Sequence, residues 1–101
     1  MSRYKLQFKM IKSWKHKGLR NFYRFGEKSG IIPEHASRLQ VILQLLDAAS
    51  KPEQLNLPGL RFHKLQGQLK GFYAVNVRAN WRIIFKFENE DVVLVDYLDY
   101  H

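Results

Sequence analysis

The stretch Phe72-Tyr73-Ala74-Val75-Asn76-Val77-Arg78-Ala79-Asn80-Trp81-Arg82-Ile83-Ile84-Phe85-Lys86-Phe87-Glu88 decides the fold. Tyr73, Val75 and Val77 alternate with Phe72, Ala74 and Asn76, and beyond Arg78-Ala79-Asn80 the series Trp81, Ile83, Phe85, Phe87 alternates with Arg82, Ile84, Lys86, Glu88. A period of two belongs to a half-buried strand, and the break between the runs predicts two strands joined by a short connection. A third apolar run, Val92-Val93-Leu94-Val95-Asp96-Tyr97-Leu98, follows the polar turn Glu88-Asn89-Glu90-Asp91. These three strands form a meander. If Trp81, Ile83, Phe85 and Phe87 face a core, then Arg82, Ile84 and Lys86 face away from it.

Upstream the period changes. Met10-Ile11-Lys12-Ser13-Trp14-Lys15 predicts a short N-terminal strand, with Ile11 and the aliphatic stem of Lys15 on one face and Met10, Lys12 and Trp14 on the other. From Lys17 to about Lys28, Leu19, Phe22 and Tyr23 recur at helical spacing, and Gly26 or Gly30 supplies a stop. A second helix is predicted from about Pro33 to Ala49. Proline suits its first turn, Glu34 lies at the positive end of its dipole, and Ala36, Leu39, Ile42, Leu43, Leu46 and Ala49 form an apolar stripe. Residues 50–60 contain Pro52 and Pro58-Gly59 and predict a surface connection. The fold class is α+β: a short N-terminal strand, and two helices on one face of a mostly antiparallel sheet whose other face is open.

A chain of 101 residues is expected to hold one domain, and a hydrophobic fraction of 46% with seven Phe, five Tyr and two Trp gives it a core. Without cysteine there is no disulfide, no thiolate zinc site and no Cys nucleophile. The N-terminus lacks the apolar segment of a signal peptide and no apolar run is long enough to span a bilayer, so a cytoplasmic location away from membranes is expected. The net charge of +8 is unevenly placed. Residues 1–28 carry nine Lys or Arg against Glu27 alone, residues 61–86 carry six and no acid, and residues 87–101 carry five acids and no Lys or Arg. Two basic segments that merge in the fold would bind a phosphate backbone; an acidic protein partner would use the same surface.

Metal-free cleavage of RNA requires a base for the 2′-hydroxyl, a cation for the charge on phosphorus and an acid for the leaving 5′-oxygen. Candidates for these tasks are present. His63 can serve as base or acid, Arg82 as a bidentate phosphate clamp, and the ending Asp99-Tyr100-His101 brings a carboxylate, a phenol and an imidazole to the end of the last strand. Arg61, Lys64, Gln66, Lys70 and Lys86 are candidate RNA contacts. His16, His35, His63 and His101 show no metal-ligand spacing and the six glycines form no phosphate loop, so neither a metal nor a cofactor is expected. His16 and His35 are expected at the surface.

Together, Ile11-Lys12-Ser13-Trp14-Lys15-His16-Lys17-Gly18-Leu19, Pro33-Glu34-His35-Ala36, Leu57-Pro58-Gly59-Leu60-Arg61-Phe62-His63, Leu69-Lys70-Gly71, Asn80-Trp81-Arg82-Ile83-Ile84-Phe85 and the ending Asp99-Tyr100-His101 resemble the HigB toxins of the RelE superfamily. The resemblance covers about residues 10–101. It implies a RelE-like fold and a type II toxin that enters the 70S ribosome and cuts mRNA in the A site. It also implies a HigA-type helix-turn-helix antitoxin as partner, with operator DNA bound only through that complex. His63, Arg82, Asp99, Tyr100 and His101 match the family's active-site set. Gln66 departs from it, standing where similar chains often carry lysine, and donates a hydrogen bond without a charge. Residues 1–9 precede the usual start: either Met10 is an alternative initiator, or the segment is a genuine basic N-terminal extension of the single domain. The rival reading is a nuclease-inactive or ParE-like, gyrase-inhibiting toxin that acts with its antitoxin as a co-repressor.

Overall fold

The computed structural model describes residues 10–100; residues 1–9 and His101 lie outside the described part. Helix α1 spans Lys17–Phe25, with the His16 ring as its N-cap: Nδ1 accepts the Leu19 N–H at 2.9 Å. Gly26 ends it at φ 75°, where the left-handed backbone lets its N–H reach the Phe22 carbonyl at 2.9 Å. The second helix begins at the first residue of its apolar stripe, three residues later than the expected start at Pro33. Pro33–His35 form one 3-10 turn, and α2 runs through Ala36–Ala48, burying Leu39, Ile42, Leu43 and Leu46.

Four strands follow: β1 (His63–Lys64), β2 (Tyr73–Arg78), β3 (Trp81–Glu88) and β4 (Asp91–Asp99). They pair antiparallel in sequence order, so the meander stands as expected and His63–Lys64 adds a short outer strand. Its alternation sorts the faces. Val75, Val77, Ile83, Phe85, Val92, Val95 and Tyr97 meet Leu19, Leu39, Ile42 and Leu46 in the main core. The 50–60 connection also contributes, because Leu55 and Leu60 are buried in that core rather than left on the surface. Each fully buried Leu, Ile or Phe of this set contributes about 2 kcal/mol through removal from water.

The opposite face is not fully open. Leu65, Ala74 and Ile84 form a second, smaller core with Leu69, Phe72, Leu98 and Tyr100 packed around it. Residues 65–72 fold back to cover it, closed by the Leu65 N–H donating to the Phe72 carbonyl at 2.9 Å. Periodicity does not show this because the covering residues belong to a connection rather than to a strand.

The expected N-terminal strand is reduced to one parallel bridge between Trp14 and Val95. It exists because β4 carries a bulge. Between the pairs Ile84↔Asp96 and Lys86↔Val93, β4 has one residue more than β3, and Leu94 takes φ 55°. The displaced backbone pairs with the N-terminal segment: Lys15 N–H donates to Val95 O at 2.8 Å, Val95 N–H to Ser13 O at 3.2 Å, and Leu94 N–H to Ser13 Oγ at 2.9 Å. Asp47 on α2 fastens the other side of this segment, accepting from the Ile11 N–H at 3.1 Å and from the Tyr23 hydroxyl at 2.7 and 2.8 Å. Burial and this carboxylate push the Tyr23 phenol well above its ordinary range.

At the start of α1, Gly18 faces the backbone of Gly30, so a Cβ on Gly18 would come within 2.8 Å of Gly30 Cα. Both partners are backbone and neither can rotate away. Gly18→Ala is expected to cost about 1 to 3 kcal/mol through overpacking. Gly26→Ala, with nothing within 4 Å of the added carbon, is expected to cost about 1 kcal/mol of left-handed strain. Urea unfolding of the two variants checks the order; an equal loss would place the close approach elsewhere.

Candidate active site

Arg82 is the best-defined group of the outer face. It stands on β3 directly opposite Asn76 of β2, and its Nη1 donates to Asn76 Oδ1 in a short contact, to the Ala79 carbonyl at 2.9 Å and to the Trp81 carbonyl at 3.3 Å. Ala79 presents its carbonyl from a turn residue at φ 51°. All three bonds use one nitrogen. Nη2 and Nε have no protein acceptor among the described residues, which leaves the fork geometry available to a phosphate. Behind Asn76 stands Arg38 of α2, whose Nη2 donates to the Asn76 carbonyl at 3.1 Å and to Gly59 O at 2.6 Å. The guanidinium of Arg82 is thus held through β2 by a second arginine.

His63 lies exposed at the sheet edge, opposite Ala74, and its Nδ1 is 2.9 Å from the Arg61 carbonyl. A carbonyl only accepts, so the proton sits on Nδ1 and the neutral ring keeps its lone pair on Nε2. Arg61, at φ 53°, turns the chain so that this contact closes two residues away. His63, Ala74, Ile84 and Asp96 form one cross-strand row, and Asn76, Arg82 and Leu98 the next. His63 and Arg82 therefore share a face, two strands and one side-chain repeat apart, about 12 Å between Cα atoms from strand spacing. They do not touch. A phosphate and its ribose fit between them.

Tyr100 packs against the small core of the same face, and its N–H donates to the Asn80 carbonyl at 2.8 Å, extending the β3–β4 ladder past Asp99. Asp99 is exposed at the end of β4, opposite Trp81. His101 lies outside the described residues. Of the expected RNA contacts, Lys64, Gln66 and Lys70 line a groove of about 320 Å³ together with Leu65, Gly71, Phe72 and Tyr73. Lys64 opposes Tyr73, so alternation sends it to the face away from His63. Lys86 brings Nζ to 5.3 Å from the Phe72 ring centre. Sequence reasoning missed Asn76 and Arg38; nothing local marks them, since their roles come only from what β2 and α2 pack against. Among the described residues no three His, Asp or Glu side chains converge as a metal centre requires.

The layer beneath the site corrects the expectation for His35 and His16. His35 is only 6% exposed, and its Nδ1 lies 2.7 Å from the Tyr97 hydroxyl. That hydroxyl also accepts the Ile32 N–H at 3.4 Å, so Tyr97 ties the His35 ring to the chain entering the 3-10 turn. Trp81 packs on Tyr97 at 4.8 Å with the rings tilted by 40°, and His16 meets Tyr97 edge-on at 5.2 Å. Burial, with Arg78 second and Glu34 opposing, lowers the His35 pKa; burial raises that of Tyr97.

Residues 12–101 match the family model described as the RelE-like toxin of type II toxin-antitoxin system HigB. The chain is 41% identical over 92 residues, 91% of its length and all of the relative's, to an endoribonuclease HigB of Proteus vulgaris. It is 36% identical over 94 residues, 91% of its length and 98% of the relative's, to the toxin HigB-1 of Vibrio cholerae. Among solved structures, the YoeB-YefM complex from Staphylococcus aureus superposes with a TM-score of 0.59 at 12% identity, covering 90% of this chain and 97% of that one. A point mutant of YafQ from E. coli superposes with a TM-score of 0.53 at 16% identity, covering 87% and 91%. Fold and site thus define a RelE-like toxin. The chain belongs to the HigB family of type II toxin-antitoxin systems, and an antitoxin is its partner.

A lowered His35 pKa means that the unfolded chain binds this proton more readily, so stability rises with pH. The contribution is complete above the unfolded value of about 6.5 and is lost as pH falls below it toward the folded value. Urea midpoints measured from pH 8 to pH 5 are expected to drop more steeply for the wild type than for His35→Gln. Parallel curves would remove His35 from the acid sensitivity.

Proposed function

We propose that this toxin is an endoribonuclease that cuts mRNA in the A site of the 70S ribosome without a metal. The single observation that carries the reading is the shared outer face of His63 and Arg82, with the Arg82 guanidinium fixed through one nitrogen by Asn76 and the Ala79 carbonyl. The 41% identical relative bears the name endoribonuclease.

The reaction is attack of a ribose 2′-oxygen on the adjacent phosphorus. The 2′-hydroxyl proton passes to a base, the P–O5′ bond breaks, and the departing 5′-oxygen takes a proton, leaving a 2′,3′-cyclic phosphate. His63 Nε2 is one of the two proton-transfer groups, and His101, assisted by Tyr100 and Asp99, is the other. Arg82 neutralises the charge that grows on the phosphorane. Arg61, Gln66, Lys70 and Lys86 hold the flanking strand, while Lys64, sent by alternation to the other face, is not part of that set. Because no strongly coupled acid-base pair stands ready among the described residues, much of the rate comes from in-line alignment of the mRNA by the ribosome. Naked RNA is therefore a poor substrate. The single toxin domain spans residues 1–101 and works in the cytoplasm, with residues 1–9 as an extension. Its antitoxin is of the HigA helix-turn-helix type, and operator DNA is reached only through that complex.

A bacterial translation extract supplied with wild type, His101→Ala, Arg82→Ala and Asn76→Ala tests the reading, with mRNA ends mapped by primer extension. New ends are expected only when ribosomes are present. Arg82→Ala and His101→Ala are expected to lose at least about 100-fold in rate, the scale of removing one group that stabilises a transition state. Asn76→Ala leaves the guanidinium in place but unfixed and is expected to lose about 10-fold, the scale of a small misplacement of a catalytic group. Equal cleavage of naked RNA would overturn ribosome dependence. No cleavage, with DNA supercoiling inhibited instead, would favour the gyrase reading.

A further inference from the structure

Alternation in an N-terminal strand predicts the stem of Lys15 beside Ile11, on one face with it. Instead the Lys15 ammonium lies on the outer sheet face, 5.6 Å from the centre of the Phe72 ring, the same ring that Lys86 approaches to 5.3 Å. Two ammoniums from distant parts of the chain thus converge on one aromatic side chain. Neither has a carboxylate at ion-pair distance among the described residues. Each gains a modest cation–π attraction, while their mutual repulsion opposes it. Such an arrangement is completed by an anion.

Two further details shape the site. Gly71 has φ 96°, a backbone conformation that favours glycine, and this turn carries Phe72 to the end of Lys86, whose Cε lies an ordinary contact distance, 3.5 Å, from where a Gly71 Cβ would stand. The β4 bulge fixes the other lysine, since Lys15 is tied by its own N–H to Val95 O at 2.8 Å. Lys86 stands four residues from Arg82 on β3, about 14 Å between Cα atoms along a strand, and its ammonium lies over Phe72, so the two cations mark separate positions on the face.

We infer that Lys15, Lys86 and Phe72 form a second anion subsite that takes a backbone phosphate of the RNA other than the one cut. The inference rests on the RNA-cleaving reading above and deepens it. Lys15 then sets strand position rather than chemistry, and its loss weakens binding of every sequence alike.

Fluorescence anisotropy with a labelled 2′-O-methyl RNA oligonucleotide, which cannot be cleaved by 2′-oxygen attack, tests this across a series of KCl concentrations. Lys15→Ala is expected to bind several-fold more weakly and to reduce the slope of log affinity against log salt by about 1, the signature of one phosphate no longer neutralised. Lys15→Arg is expected to keep the slope, which separates removal of charge from loss of folding. Lys51→Ala, in the connection beyond α2, is expected to match the wild type. A Lys15→Ala slope equal to wild type overturns the subsite while leaving the RNA-cleaving reading intact. Wild type that binds no RNA, with Lys15→Ala weakening the antitoxin complex instead, overturns the subsite and gives the face to a protein partner, whereas the RNA-cleaving reading stands or falls on the mRNA ends mapped in the translation extract.

Discussion

Strand β3 carries two surfaces at once, and the rest of the molecule is arranged around that requirement. Trp81, Ile83, Phe85 and Phe87 meet the helices, while Arg82, Ile84 and Lys86 point to the opposite face. A slip of one residue would bury Arg82 and Lys86 among leucines and expose Ile83 and Phe85 to water. Burying an unpaired guanidinium or ammonium costs several kcal/mol, more than any turn preference in the meander can supply. The register that protects the core is therefore the one that presents Arg82 beside Asn76, and the site is a by-product of core packing.

Packing also explains why Arg82 is held in one place. Its partners are the side chain of the facing residue and the carbonyls of the turn that joins β2 to β3, so the guanidinium is ordered by the same hairpin that sets the register. Arg38 extends that support to α2. Under the sheet, Tyr97, Trp81 and a neutral His35 form a wedge below the ends of β3 and β4. The sheet here carries aromatic packing on its helix side and the small Leu65–Ala74–Ile84 core on its outer side.

Electrostatics sets the balance between stability and function. The cations of the outer face make no strong contribution to folding, since exposed charges are screened and near one another they repel. The run from residue 61 to 86 holds no acid to offset its cations, so their mutual repulsion is a cost to the folded chain. The α1–α2 side has a different chemistry: Asp47 is engaged by Tyr23 and by the Ile11 N–H, and it closes the chain start onto the helices.

Much of this was legible in the sequence, and for a local reason. Alternation at 73–77 and 81–87 specifies strands and their faces, the stripe from Leu39 to Leu46 specifies a helix, and Gly26 specifies the end of α1, because near-neighbour sterics act over a few residues. The types His63 and Arg82 were legible as chemistry, and the alternation already gave Arg82 its face. What the tertiary structure alone decided are contacts between distant positions. The His35–Tyr97 bond joins residues 62 apart and the Ser13–Leu94 bond joins residues 81 apart. The bulge at Leu94, the fold-back of residues 65–72 and the arrival of Lys15 over Phe72 follow from how the sheet closes, and no periodicity records that. Sequence by itself determined which residues must hide from water; only the folded register decided which of the rest would meet.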